Sequence, residues 1–279
     1  MKLHFLKTKW SDIIILQSGE EVALVDTGFD EQYEQVRDYL RELGAERISF
    51  ILLTHFHRDH YGNIPNLIKD FKVDTVYMKR YSGLDCTTAW GTEADDAYRR
   101  TETDKFNYMV ESVSKKSRLV FAEEISVIPF GRYELKLFSA ENSIKEIYED
   151  ESCPETYHRI ALSENQNSLA VFIKADGKNI FLGGDVLDYP SPHPKADHAC
   201  CRIARSINEQ IDIYKAPHHG TVHTACEEAL SILRPRTAII TNEDTYLKEN
   251  SDIYDNLRKA NPDVKILLTE KENIIIDTE

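Results

Sequence analysis

With 279 residues, 41% of them apolar and 29% charged, the chain has the composition of a folded protein able to bury a core, which excludes intrinsic disorder. Its 48 acidic side chains outnumber 34 basic ones for a formal charge of −14, so a polyanion is repelled unless basic groups gather on one face, and nucleic acid is disfavoured as a partner. The opening segment 1–10 has no uninterrupted apolar stretch and no later run approaches about 18 apolar residues, so neither export nor membrane spanning is expected and the protein reads as cytoplasmic.

Apolar runs at 13–16 and 22–25 flank the turn Gln17-Ser18-Gly19-Glu20 and predict a hairpin whose second strand delivers Asp26-Thr27-Gly28. Tyr33, Val36, Tyr39, Leu40 and Leu43 then recur at helical spacing, with Gly44 as a stop. The nearly continuous apolar run 48–53 is the pattern of a strand covered on both faces, and it empties at Thr54 into His55-Phe56-His57-Arg58-Asp59-His60. A helical stretch to about Phe71 and a strand at 73–78 follow. Residues 81–118, with Trp90, Tyr98, Phe106 and Tyr108, predict a mostly helical insertion that could overhang a site; its aromatic side chains read as ordinary packing residues, although if they cover the cleft they could stack on a quaternary ammonium or a base.

Strands are expected at 119–121, 125–128 and 133–138, before an acidic loop at 145–155. Segments 168–175 and 179–182 face each other across Asp176-Gly177, a two-residue hairpin signal, and lead into Gly183-Gly184-Asp185. A helix at 199–207 and a strand at 211–214 precede Lys215-Ala216-Pro217-His218-His219-Gly220, and the remainder alternates helix and strand at 224–233, 237–241, 253–260, 264–268 and 273–277. No Pro, Gly or Ser linker divides the chain, so 1–279 reads as a single α/β domain, two packed sheets with helices outside. Cys86, Cys153, Cys200, Cys201 and Cys226 are odd in number and lack a Cys-x-x-Cys pair, and are expected as free structural thiols.

Three histidines and an aspartate within six residues carry the chemistry. By chance this pattern arises in roughly one sequence in a thousand of this composition. Imidazole and carboxylate bind zinc, manganese or iron at neutral pH. Alternate residues of an extended stretch point the same way, so His55, His57 and Asp59 can converge while His60 turns with the chain. One ion could not easily use all four, whereas two divalent ions about 3.5 to 4 Å apart could.

On these residues the sequence resembles the metallo-β-lactamase superfamily, in which such a motif follows a strand-borne Asp-Thr-Gly like Asp26-Thr27-Gly28. The resemblance spans nearly the whole chain and implies a four-layer αββα sandwich. It implies that His55 and His57 hold a first ion, Asp59 and His60 a second, and Asp185 bridges them, with Asp59 and Asp185 in the catalytic centre. A histidine from Pro217-His218-His219-Gly220 would complete the second ion's shell. Pro217 restrains the approach to His218, which is preferred as the ligand with His219 as its catalytic neighbour, although the order of the two stays open. Asn167-Ser168-Leu169, Gly183-Gly184-Asp185 and His218-His219-Gly220 most resemble the branch containing ComEC-type competence hydrolase domains and phosphorylcholine esterases.

One departure concerns the first ion. Most members of the family place a histidine shortly before the Ser168 position, where this chain has Glu164-Asn165-Gln166-Asn167, so the third ligand is Asn165, Asn167 or none. The resemblance favours Asp26 as a brace for the histidine loop over a simple turn residue. Lys215 could meet an anionic substrate or be a solvated strand-end lysine. His4, His158, His193, His198 and His223 read as ordinary histidines.

The expected function is a metal-dependent hydrolase that uses a metal-bound hydroxide on a small phosphodiester or phosphoester. Acyl hydrolysis of a β-lactam or thioester, nuclease action, and a catalytically silent metal-binding module are the alternatives, because fold does not dictate substrate.

Overall fold

Short apolar runs alternating with amphipathic helices assemble into two sheets in the computed structural model, which describes residues 1–83, 93–139, 164–188, 198–221, 224 and 226–279. The first contains β1 (Lys2–Phe5), β2 (Ile13–Ser18), β3 (Glu21–Thr27), β4 (Arg47–Leu53), β5 (Lys72–Met78), β6 (Arg118–Phe121) and β14 (Ile274–Asp277), in the order β14-β1-β2-β3-β4-β5-β6. The second contains β7 (Val127–Phe130), β8 (Tyr133–Ser139), β9 (Leu169–Ala175), β10 (Lys178–Leu182), β11 (Ile213–Lys215), β12 (Thr237–Ile240) and β13 (Lys265–Leu268), in the order β13-β12-β11-β10-β9-β8-β7. Strands β3 to β6 run parallel, as do β10 to β13, while β2 and β9 are antiparallel partners of β3 and β10.

The helices are α1 (Tyr33–Glu42), α2 (Arg58–Tyr61), α3 (Ile64–Asp70), α4 (Glu93–Ser114), α5 (Ala199–Ile207), α6 (Glu227–Leu233), α7 (Asp244–Asn250) and α8 (Ile253–Ala260). Three apolar layers hold the elements together. Between the sheets, Leu3, Leu16, Val25 and Leu52 meet Ile128, Leu135, Val171 and Leu182. Outside the first sheet, Ile15, Leu24, Ile51 and Val76 pack under Val36 and Leu40 of α1, Leu67 of α3, and Met109 and Val113 of α4. Outside the second, Phe181, Tyr214 and Ile240 pack under Ile203 of α5, Leu230 of α6 and Leu257 of α8. The architecture is therefore the expected helix, sheet, sheet, helix sandwich, and each fully buried Leu or Ile stabilises it by about 1.5–3 kcal/mol.

The later parts of β4 (50–53) and β10 (180–182) are fully buried between the sheets and the helices, which explains why they read as uninterrupted Ile, Leu and Phe. Two elements escape the periodicity argument. Strand β1 is short and begins the chain, and becomes a buried strand only between β14 and β2. Helix α7 is polar apart from Tyr246, partly buried against the core, and Leu247, which is fully buried. Helix α4 confirms the helical insertion, with Phe106 packed edge-on against Phe56 behind the histidine loop and Tyr108 in solvent. Trp90, the acidic loop at 145–155, Cys86, Cys153, His158, His193 and His223 lie outside the described residues. Among the described residues no helix is long and apolar enough to cross a membrane.

Candidate metal centre

The parallel strands of both sheets end at one edge, where the backbone N–H of Leu169 at the start of β9 donates to the carbonyl of Thr54 at the end of β4, 3.0 Å away. Chemistry on an α/β sheet collects at such C-terminal strand ends. Here β3 delivers Asp26, β4 the histidine loop, β10 Asp185, β11 the paired histidines and β12 Thr241.

Asp26 turns the chain at φ 59° and stays fully buried. Its carboxylate accepts the Thr54 N–H and hydroxyl, each at 2.8 Å, and lies 2.8 Å from His60 Nδ1. It thus ties the end of β4 to α2 and orients the His60 ring, the bracing role expected of it. Gly62 follows because any Cβ there would come within 2.5 Å of the Asp30 backbone nitrogen and the Gly28 carbonyl oxygen. The Asp-Thr-Gly turn and the histidine loop are packed backbone to backbone.

Two groups of side chains share Asp185. In the first, His55 Nε2 lies 2.9 Å from His57 Nδ1 and 3.6 Å from Asp185 Oδ2. In the second, His60 Nε2 lies 3.2 Å from Asp59 Oδ2 and 3.3 Å from Asp185 Oδ2, while His219 Nε2 lies 3.0 and 3.7 Å from the same two atoms. Asp185 is set by its N–H, which donates to Ser168 Oγ at 2.9 Å, and by Gly184. A Cβ on Gly184 would strike the Leu169 carbonyl oxygen, and φ there is +50°.

The preference for His218 differs from what the geometry brings together. His218 and His219 both occupy the left-handed region, at φ 43° and 54°, and Gly220 continues it at 73°. A left-handed residue other than glycine costs about 1–2 kcal/mol, so the surrounding contacts must hold this turn. His218 N–H donates to the Gly184 carbonyl at 2.9 Å, Asn242 Nδ2 to the His219 carbonyl at 3.1 Å, and Ser251 Oγ to the Gly220 carbonyl at 2.6 Å. The turn sends the two rings apart. His219 joins Asp59 and Asp185, whereas His218 Nε2 sits 3.0 Å from Asn165 Nδ2 and its Nδ1 2.7 Å from Thr221 Oγ1.

A family model described as the metallo-beta-lactamase superfamily matches residues 11–225. The chain belongs to that superfamily. A 67-residue stretch is 36% identical to an atrochrysone carboxyl ACP thioesterase of Aspergillus fumigatus, covering 24% of this chain and only 21% of that relative's length. The crystal structure of Tm1679, a metal-dependent hydrolase of the beta-lactamase superfamily, aligns with a TM-score of 0.57 at 13% identity over 99% of this chain and 98% of that one. The metallo-beta-lactamase fold protein YhfI from Bacillus subtilis aligns at 0.54 and 10% identity over the same shares. At such identities these structures share the fold. The chain carries the metallo-beta-lactamase fold with a candidate metal-binding site.

Divalent metal binding is implied by the superfamily, and the donors present fit it. Nitrogen and oxygen ligands about 2.1 Å from a zinc ion stand roughly 3.4 Å apart in a tetrahedron. The histidine nitrogens lie 3.3 to 3.7 Å from Asp185 Oδ2. Within the second group His60 Nε2 is buried without a hydrogen-bond partner, and so is the second carboxylate oxygen of Asp185. Orphaned buried polar atoms cost free energy unless a ligand satisfies them.

The field of the cluster is that of a cation site. Burial would deprotonate His60, yet Asp185, Asp59 and Asp26 hold its pKa well above the ordinary imidazole value. Burial likewise opposes charge on His219, but Asp185 and Asp12 push it up to about 9. Burial followed by the neighbouring His60 drives His55 well below its usual value, so it is a neutral donor. Burial lowers His218 to about 4. The carboxylates that draw protons onto His60 and His219 would draw a divalent cation for the same reason.

Asp12 is the site residue that sequence reasoning missed. Wholly buried just ahead of β2, it lies 3.2 Å from His219 Nδ1, accepts Thr241 Oγ1 at 2.6 Å, and pairs with Lys215 Nζ. Lys215 is itself fully buried and donates to the Gly184 carbonyl at 3.2 Å, so it is neither a solvated lysine nor a contact for substrate. Nothing in the local sequence marks Asp12, because a polar residue before an apolar strand is commonplace. Of the two asparagines proposed for the first ion, Asn167 is engaged by Glu164 and the Arg80 carbonyl, and Asn165 is the one beside His218.

Proposed function

We propose that this chain holds two divalent cations, zinc in the first instance, and hydrolyses a small phosphodiester or phosphoester. The observation that carries the reading is Asp185, which belongs to both ligand groups at once. His55 and His57 would hold the first ion, Asp59, His60 and His219 the second, and Asp185 both. When bound, such ions lower the pKa of a coordinated water from about 15.7 to about 7 and stabilise the charge that develops on the substrate oxygens.

The residues around the ions do the rest. Asp26 fixes His60, and Asp12 with Thr241 fixes His219, so both rings present Nε2 to the carboxylates. His218, largely neutral at pH 7 and less buried than His219, lies against Asn165 and can orient a substrate oxygen through hydrogen bonding. No serine or cysteine nucleophile is needed. The phosphoester preference draws on the resemblance of Asn167-Ser168-Leu169, Gly183-Gly184-Asp185 and His218-His219-Gly220 to the phosphorylcholine esterase branch, and on a donor set of nitrogen and oxygen.

Thioester hydrolysis is the second reading, favoured by the 36% identity to a thioesterase over 67 residues. Protein supplied with Zn²⁺ or Mn²⁺ and offered bis(p-nitrophenyl) phosphate, an acyl thioester and a β-lactam separates the two. Phosphodiester turnover that disappears in Asp185→Asn, with a drop in bound metal, is the expected result. Turnover of the thioester alone would move the assignment to acyl transfer to water. A protein that binds one ion or none and turns over nothing would be a silent module.

A further inference from the structure

A second cluster of ligand-type side chains, Asp188, Cys201 and Cys226, lies outside the metal centre. It joins the two loops that carry the centre. Asp188 lies three residues after Asp185, and Cys226 lies seven residues after His219. Cys201 lies in the first turn of α5, whose N–H groups at Cys200 and Cys201 donate to the Asp188 carboxylate at 2.7 and 3.2 Å. The sulfurs of Cys201 and Cys226 are 2.7 Å apart. Cys226 Sγ also accepts the Ala229 N–H at 3.3 Å, and Cys200 Sγ lies against the carbonyls of Val186 and Thr224.

Geometry separates a thiolate metal site from a dithiol pair. Two sulfurs on one zinc ion, each about 2.3 Å from it, stand about 3.8 Å apart. Disulfide sulfurs are about 2.05 Å apart. The observed separation lies closer to the second, and both oxygens of Asp188 are already engaged by backbone amides. We propose that Cys201 and Cys226 form a reversible dithiol and disulfide pair that staples the start of α5, whose N–H groups hold Asp188, to the segment that follows His218 and His219.

The two thiols differ in access. Cys226 is half-buried and Cys201 is 8% exposed, so Cys226 meets an oxidant first. The hydrogen bond to Cys226, burial and Asp188 all push the Cys201 thiol up, so Cys201 keeps its proton until the second step. With a small disulfide as oxidant, Cys226 as thiolate attacks one of its sulfurs and expels a thiolate, which takes up a proton equivalent to the one Cys226 lost. Cys201 then loses its proton to solvent and attacks the Cys226 sulfur, expelling the second small thiolate, which takes up a proton from solvent. Two protein thiols are oxidised and one small disulfide is reduced to two thiols.

The test uses the whole protein, incubated with oxidised glutathione or with dithiothreitol, alkylated, digested and mapped by mass spectrometry. A Cys201 to Cys226 cross-linked peptide that dithiothreitol reverses is expected. Tm should rise by roughly 5–10 °C on oxidation, and neither Cys201→Ser nor Cys226→Ser should show the rise. Loss of zinc to a chelator should also slow in the oxidised protein. Two separately alkylated cysteines, or stable glutathione adducts without the cross-link, would overturn the pairing. One fewer bound zinc ion in both serine variants would assign a thiolate metal site instead. Equal rates of zinc loss in the two redox states would overturn the link to the metal centre. The cross-link and Tm readouts need no substrate, so they stand or fall apart from the hydrolytic reading.

Discussion

Asp12 and Lys215 form a buried ion pair whose members come from distant parts of the chain, and Asp12 also orients His219. Removing one partner strands the other as an uncompensated buried charge. Asp12→Asn should therefore cost about 3–5 kcal/mol in urea denaturation, and Asp12→Asn combined with Lys215→Met should recover most of it. Metal affinity should fall about 10–100-fold in both variants, because neither restores the carboxylate behind His219. Recovery of metal affinity together with stability would show that Asp12 matters only as the partner of Lys215. The paired histidines make a related point. Adjacent in sequence and chemically identical, they are separated only by the left-handed turn that sends His219 inward and His218 toward Asn165.

The loop after β10 illustrates how an element's exit positions a ligand. Gly184→Ala would combine a left-handed backbone with a Cβ driven onto the Leu169 carbonyl and within 2.7 Å of Ser168 Oγ, the atom that holds the Asp185 N–H. Lower Tm and loss of bound metal are expected together. Gly177→Ala is the control, because it has a similar φ of +77° but nothing within 4 Å of the added Cβ. It should lose only about 1–2 kcal/mol and keep its metal. At the other end of the first sheet, His4 on β1 is buried with Nε2 unpartnered and Nδ1 2.9 Å from the Tyr39 hydroxyl. Burial lowers its pKa below the ordinary value. Because the folded value lies below the unfolded one, its contribution to stability is present above the unfolded pKa and is lost as pH falls through the folded pKa. His4→Leu should flatten the decline of Tm between about pH 7 and pH 5. An unchanged slope would place the acid sensitivity elsewhere.

For the molecule as a whole, two sheets hold the candidate ligands of one centre, so a bound ion should clamp the sandwich. Zinc at about 100 times its dissociation constant contributes about 2.7 kcal/mol, which corresponds to a Tm shift of roughly 5–10 °C. Differential scanning calorimetry before and after chelation should show that shift in the wild type and little of it in Asp185→Asn. The charge of −14 belongs to the same scale. Duplex DNA is expected not to bind tightly at physiological salt, and submicromolar, salt-sensitive association would reopen nuclease action.

The sequence by itself determined the alternation of strands and helices, since burial on both faces of β4 and β10 demands continuous apolar runs, and α5 shows its apolar face at helical spacing. It also determined the histidine loop, because four ligand-type residues packed so densely are rare and their exit from a buried strand is local information. Strand β1 and helix α7 were illegible, their burial being conferred by neighbours rather than by their own pattern. Tertiary structure alone decided that His219 rather than His218 faces Asp59, that Asp12 and Lys215 stand behind it, and that Cys201 meets Cys226. Each of those outcomes depends on backbone turns and on contacts between residues far apart in the chain, for which no local sequence pattern carries a signal.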